Sequence, residues 1–242
     1  MSHPLDYFER IFIINLPART DRRSEMAAQL KAIGLSLEKA NIELFPAVRP
    51  DAPEGFSSIG ARGCFMSHLG VLRSAQRLGL QRVAIFEDDL DFAVDFNARM
   101  PSLVQQLTAT DWSIFYGGYR LTRPFDRPLD TGLSAAGVDE AIETTHFIAF
   151  QGEAIAAAVQ HLELLLGRPA GHPEGGPMHV DGAYNRLRRV NPQFNTLLAI
   201  PELGFQRASR TDIHALRWFD ATPLVRNGVA GMRWVKNLLW RR

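Results

Sequence analysis

Four apolar residues followed at once by three carboxylates, Val83-Ala84-Ile85-Phe86-Glu87-Asp88-Asp89-Leu90, constrain this chain more than any other stretch. An apolar run of that length reads as a short buried strand. A strand that ends directly in acid places negative charge at the carboxyl edge of a sheet, where open α/β folds bind their ligands. Three adjacent carboxylates repel one another unless a cation or solvent separates them. Hard oxygen donors suit Mg²⁺ or Mn²⁺, ions that bridge carboxylates to phosphates. The competing reading is a solvated acidic turn, or Asp89 opening a helix.

A second apolar run, Ile11-Phe12-Ile13-Ile14, closes on Asn15-Leu16-Pro17, and Met26, Leu30 and Ile33 then recur at helical spacing up to Gly34. Thr20 or Asp21 is the expected cap. Strand, polar loop and helix open a nucleotide-binding type of α/β unit. Arg19, Arg22 and Arg23 at its turn would favour an anion. No Gly-rich phosphate loop accompanies them. Ile42-Glu43-Leu44-Phe45 is a further strand, and residues 46–63, with three prolines and three glycines, an irregular loop. Phe65, Leu69, Leu72 and Ala75 stripe the next helix, with Ser67 and His68 in its first turns. Beside an apolar stripe, His68 reads as a packed, hydrogen-bonded residue or as a catalyst.

Strands are expected at Ser113-Ile114-Phe115-Tyr116 and at Thr145-His146-Phe147-Ile148-Ala149-Phe150, with a helix over Ile155, Ala158, Val159, Leu162 and Leu165. Residues 119–143 show no clear period and read as a functional loop region on the acceptor side. Residues 167–177 are too rich in Gly and Pro for regular structure. They lead to Met178-His179-Val180-Asp181, where Asp181 is either a helix cap or a base.

Three blocks in this order resemble glycosyltransferase family 25: Ile13-Ile14-Asn15-Leu16 with Arg19 and Arg22, Gly63-Cys64-Phe65-Met66-Ser67-His68, and Phe86-Glu87-Asp88-Asp89. That family includes bacterial lipooligosaccharide galactosyltransferases and collagen galactosyltransferases. Val180-Asp181 and the run from Gln206 to Ile213, with Thr211 where Ser is usual, also resemble it. The resemblance implies a GT-A-type single α/β domain with a Rossmann-like, mostly parallel central sheet flanked by helices. It also implies a UDP-sugar donor, usually UDP-galactose, inversion at the anomeric carbon, and a glycan or lipid-linked acceptor in lipopolysaccharide or cell-surface glycan synthesis. Asp88 and Asp89 are then the ligands of a divalent cation (Mn²⁺ or Mg²⁺), with His214 a late third. Asn15, Arg19, Arg22, Glu87 and Asp88 fall at the nucleotide end, Asp181 is the candidate base, and His68 a weaker one. A metal-dependent phosphohydrolase or nucleotidyltransferase, and a silent nucleotide-sugar-binding module, remain alternatives.

Charge separates the chain into two expected parts. Residues 222–242 hold Arg226, Arg233, Lys236, Arg241 and Arg242 and no acid, so this basic, amphipathic tail carries +5. The remainder has 22 basic against 26 acidic residues, which argues against a nucleic-acid partner. A catalytic domain over 1–221 and a tail that meets an anionic membrane surface are the resulting expectations. Residues 1–10 contain no apolar h-region and Cys64 is the lone cysteine, so a cytoplasmic protein, peripheral at the membrane face, is expected.

Overall fold

The structure is a computed structural model and describes residues 2–123 and 132–207. The expected basic tail, His214 and most of the run from Gln206 to Ile213 lie outside the described residues. Among those described, a short 3-10 turn, Pro4–Tyr7, precedes nine strands and five helices. The first half is β1 (Arg10–Asn15), α1 (Thr20–Ala32), β2 (Ile42–Pro46), α2 (Ile59–Arg77), β3 (Arg82–Glu87), β4 (Leu90–Phe92) and α3 (Phe96–Ala109). The second half is β5 (Ile114–Leu121), β6 (Gly132–Ala136), β7 (Ile142–Gln151), α4 (Glu153–Leu166), α5 (Val180–Val190), β8 (Thr196–Ile200) and β9 (Gly204–Gln206). No helix among them is long and apolar enough to cross a membrane.

Seven strands form one sheet in the order β2-β1-β3-β7-β5-β8-β6. The β1–β2, β1–β3 and β5–β8 pairs are parallel, and β7 and β6 run against their neighbours. Five strands thus share one direction, the mostly parallel α/β sheet that the sequence implies. The two apolar runs read first are adjacent strands, with Ile11 opposite Ala84 and Ile13 opposite Phe86.

Both faces of this sheet are covered, and the strand period sorts the side chains between them. Phe12, Ile14, Val83 and Ile85 pack on the side of α2, α4 and α5, with Phe65, Leu72, Ile155 and Tyr184. Ile11, Ile13, Ala84 and Phe86 face the other way, onto Met26 and Leu30 of α1 and Phe96 and Leu103 of α3. Burial on two faces is why β1 and β3 show unbroken apolar runs instead of alternation.

Several local expectations need correction. Asp89 opens no helix: it sits in a turn between β3 and β4, and β4 pairs antiparallel with β9 in a separate two-stranded sheet. Neither Thr20 nor Asp21 caps α1; Arg19 is the N-cap and makes no side-chain cap bond. Asp181 is not the cap of α5 either, because His179 holds that place. The 119–143 region is less irregular than its composition suggests. It contributes the end of β5, all of β6 and the start of β7, an edge whose pairing partner β8 lies some 60 residues away and leaves no local pattern.

Gly118 shows how closely β5 and β7 are fitted near the carboxyl edge. The strand is irregular on both sides of it. A Cβ there would run into the His146 ring and lie 2.9 Å from Gly204 O. Overpacking of this kind costs about 1–3 kcal/mol. Gly118→Ala should therefore lower the urea unfolding midpoint by a corresponding amount, and an unchanged midpoint would show that the His146 ring yields freely.

Candidate nucleotide-sugar site

The acidic triplet ends β3 and faces a cavity of ≈ 540 Å³ walled by the β1–α1 turn, the loop after β2 and the first turns of α2. Its lining includes Arg19, Arg22, Arg49, Cys64, His68, Glu87, Asp88 and Asp89. Basic side chains and carboxylates thus share one cavity lining.

Asp88 is held from two sides. Arg22 Nη1 donates to Asp88 Oδ1 at 2.6 Å and Asn15 Nδ2 donates to Asp88 Oδ2 at 2.8 Å, all three residues being buried. The same Arg22 nitrogen lies 3.5 Å from Asp89 Oδ2. Asn15 also donates to Arg19 O at 3.2 Å, which ties the end of β1 to the start of α1. Asn15 and Arg22 of the first block are therefore brought directly onto the third.

Asp89 is only 6% exposed, and among the described residues its Oδ1 has no hydrogen-bond partner. Burial, then the charges of Glu87 and Asp88 against the relief from Arg22 and Arg207, pushes its pKa up to about 7. Gln206 Nε2 donates to Asp89 Oδ2 at 3.4 Å and Arg207 N donates to Asp89 O at 2.7 Å, contacts made available by the β4–β9 pair. Arg207 further pairs with Asp91 and Glu25.

Glu87 turns towards α2 and β7. Thr145 Oγ1 donates to Glu87 Oε1 at 2.6 Å, and His68 Nε2 stands 3.4 Å from the same oxygen. Burial would raise this carboxyl, but His68, Thr145 and His146 outweigh it and hold the pKa below the usual value. His68 itself is fully buried, with Nδ1 3.1 Å from Tyr184 Oη. It is packed in the core, as one of the two readings had it, and it also lines the cavity.

The loop that covers the cavity is fastened by the second block. Ser67 Oγ accepts from Val48 N at 2.8 Å and donates to Gly63 O at 2.6 Å. A Cβ at Gly63 would stand 2.6 Å from Val48 O, so only glycine lets residues 47–51 lie against α2. The Gly63-Cys64-Phe65-Met66-Ser67-His68 spacing thus places a loop anchor and a buried imidazole on one helix.

Asp181 is outside the set that lines the cavity, though near enough for its charge to bear on Cys64. Thr144 N donates to its Oδ2 at 3.2 Å and Gly182 N to its Oδ1 at 2.7 Å. Thr144 adopts φ 64, a costly conformation for a β-branched residue, and its hydroxyl lies 3.1 Å from His146 Nδ1. Sequence reasoning missed Thr145, Tyr184 and Arg207. Of these only Arg207 had a signal, its place beside Gln206 in the closing run.

The site thus combines an α/β sheet with a buried acidic edge, arginines at a helix start and a cavity that both line. The family pattern described as glycosyltransferase family 25 (LPS biosynthesis protein) matches residues 8–130, and the chain belongs to that family. It is 31% identical to procollagen galactosyltransferase 1 of Danio rerio over 139 residues, 50% of this chain and 23% of the relative. It is 27% identical to inactive glycosyltransferase 25 family member 3 of Homo sapiens over 135 residues, 48% of this chain and 23% of that one. The matched part therefore spans about a quarter of the length of these relatives. A solved glycosyltransferase involved in glycosylation of the major capsid of PBCV-1 covers 84% of this chain and 93% of its own, at 9% identity and a TM-score of 0.45.

The perturbed Asp89 makes a pH prediction. In the folded, metal-free chain the group keeps its proton up to about 7, whereas unfolded it loses it near 3.8. The folded state then binds more protons in between, so this contribution to stability is full below about pH 4 and lost as pH rises through about 7. Asp89→Asn cannot ionise. With a chelator present it should melt well above the native chain at about pH 8 and close to it at about pH 4. Parallel melting curves across that range would show that Asp89 bears no such strain.

Proposed function

We propose that the chain is an inverting glycosyltransferase that moves a hexose, galactose in the first instance, from a UDP-sugar to a glycan or lipid-linked acceptor of lipopolysaccharide or cell-surface glycan synthesis. The observation that carries this reading is the cavity itself, where the acidic end of β3 meets Arg19 and Arg22 from the β1–α1 turn. Family membership and the galactosyltransferase names of its relatives support the sugar-transfer chemistry.

The residues present fit a divalent cation. Among the described residues, Asp89 Oδ1 is a buried carboxylate oxygen with no hydrogen-bond partner, in a field of three carboxylates that Arg22 and Arg207 only partly offset. Asp89 would hold the ion with Asp88, as hard oxygen donors do for Mn²⁺ or Mg²⁺. Such an ion neutralises a diphosphate leaving group. His214 keeps its proposed place as a third ligand from the closing motif.

The chain's own groups divide the remaining work. Arg22 holds Asp88 and offers positive charge to the donor's diphosphate, and Arg19 adds charge at the helix start. Asn15 fixes the Asp88 carboxylate in one orientation, and Glu87 is assigned to the nucleoside end. Asp181, steadied by two backbone N–H groups, takes the proton of the acceptor hydroxyl. His68 is the weaker entry for that role, because Tyr184 and Glu87 already occupy its surroundings.

A second reading, a module that binds nucleotide sugar without turnover, is favoured by the inactive member among the relatives. Incubation with Mn²⁺, a panel of UDP-sugars and a lipid-linked or glycan acceptor separates the two. Transfer with release of UDP is the expected result. Donor-dependent thermal stabilisation without UDP release would establish the silent module, and release of inorganic phosphate alone would point to a phosphohydrolase. Asp181→Asn should keep donor binding and lower the saturated rate by about 10²–10⁴-fold, the usual worth of a general base. A loss of donor affinity at unchanged rate would make Asp181 a binding residue only.

A further inference from the structure

Beside the acidic pair lies a second group of ligating atoms of different chemistry. Cys64 and His68 stand four residues apart on α2, so they share one face of that helix. Glu87 reaches the same place from the end of β3. One ligand atom from each lies within 4.8 Å of the other two, and all three residues line the cavity. Ligand atoms so spaced come into range of one small ion with side-chain shifts on the order of an ångström, given Zn–S and Zn–N lengths of about 2.3 and 2.0 Å.

The imidazole supplies an independent sign. His68 is fully buried, and among the described residues its Nε2 has no well-formed hydrogen bond, only the charge contact with Glu87 Oε1 at 3.4 Å. A buried polar atom so poorly satisfied is uncommon and calls for an explanation. The other ring nitrogen is already engaged, 3.1 Å from Tyr184 Oη. That is the arrangement of a ligating histidine, whose second nitrogen is fixed by a neighbour while the first points at the ion. Thr145 Oγ1 orients Glu87 in the same sense, at 2.6 Å. The surrounding field is negative as well: burial and the charges of Glu87, Asp89, Asp181 and Asp88 push the Cys64 thiol well above its usual pKa.

We propose that Cys64, His68 and Glu87 form a transition-metal site of the zinc class on the cavity floor, separate from the hard-cation site at Asp88 and Asp89. Sulfur, imidazole nitrogen and one carboxylate are the donors that select Zn²⁺ or Co²⁺ over Mn²⁺ or Mg²⁺. Binding forms the metal–sulfur bond and releases the thiol proton to solvent. Three protein ligands leave one position of a tetrahedron open towards the cavity. An ion there stands next to the acidic pair, so zinc would compete with whatever occupies the nucleotide-sugar site. The proposal does not depend on turnover, because its readout is metal binding alone.

Cobalt(II) titrated into the full, metal-free chain provides the test, since cobalt bound to thiolate shows a sulfur-to-metal charge-transfer band. The native chain should develop that band together with four-coordinate ligand-field bands, and zinc should bleach both. Cys64→Ser and Cys64→Ala should each lose the charge-transfer band, whereas Asp89→Asn should keep it. Tyr184→Phe should weaken cobalt binding about 10–100-fold, the usual effect of removing a group that orients a ligand. Absence of the band in the native chain, its survival in both Cys64 variants, or its loss in Asp89→Asn would each overturn the assignment.

Discussion

Three consecutive carboxylates at the end of β3 set the terms for everything around them. In water they would be unremarkable; here Asp88 and Asp89 are 7% and 6% exposed, and each ionised group raises the cost of the next. Arg22 answers part of that charge through Asp88 Oδ1 at 2.6 Å and Asp89 Oδ2 at 3.5 Å. Asn15 and Gln206 add neutral donors, and Arg207 reaches the Asp89 main chain. Among the described residues, Asp89 Oδ1 is still left without a hydrogen-bond partner. That unanswered oxygen is the ground for proposing a cation, and with it an anionic ligand, at this site.

The fold explains why those groups meet. β1 and β3 are parallel neighbours, so their carboxyl ends arrive side by side and bring Asn15 and Glu87 to one edge. α1 starts from that edge with its arginines, and α2 passes behind it with Ser67 and His68. The antiparallel β4–β9 pair then returns the far end of the described chain to Asp89. Each of the three sequence blocks thus supplies residues to the cavity lining.

How much of this was legible in sequence differs between elements. β1, β3, α2 and α4 were readable because two-sided burial or a helical stripe marks them locally. β6, α3 and the β4–β9 pair were not, since a short edge strand and a polar-faced helix with Pro101 inside carry weak periodicity. For the site, Asn15, Arg22, Glu87, Asp88, Asp89 and His68 lie together at one edge of the sheet. Thr145 and Tyr184 come from β7 and α5, far along the chain, and no local pattern marks a Thr or Tyr as the partner of a distant acid. Asp181 illustrates the converse. Its place at a helix start suggested a cap, yet its oxygens are taken by Gly182 N and by Thr144 N from the neighbouring strand.

The central claim is that the residual negative charge at Asp89 is completed by a hard divalent cation which in turn recruits a nucleotide diphosphate. Calorimetric titration of Mn²⁺, with and without UDP, into the native chain and Asp89→Asn tests it most directly. The account predicts Mn²⁺ binding to the native chain that tightens when UDP is present, by the reciprocity that links two ligands at one site, and loss of both effects in Asp89→Asn. Mn²⁺ and UDP that bind Asp89→Asn as they bind the native chain, or that bind the native chain without influencing each other, would contradict it.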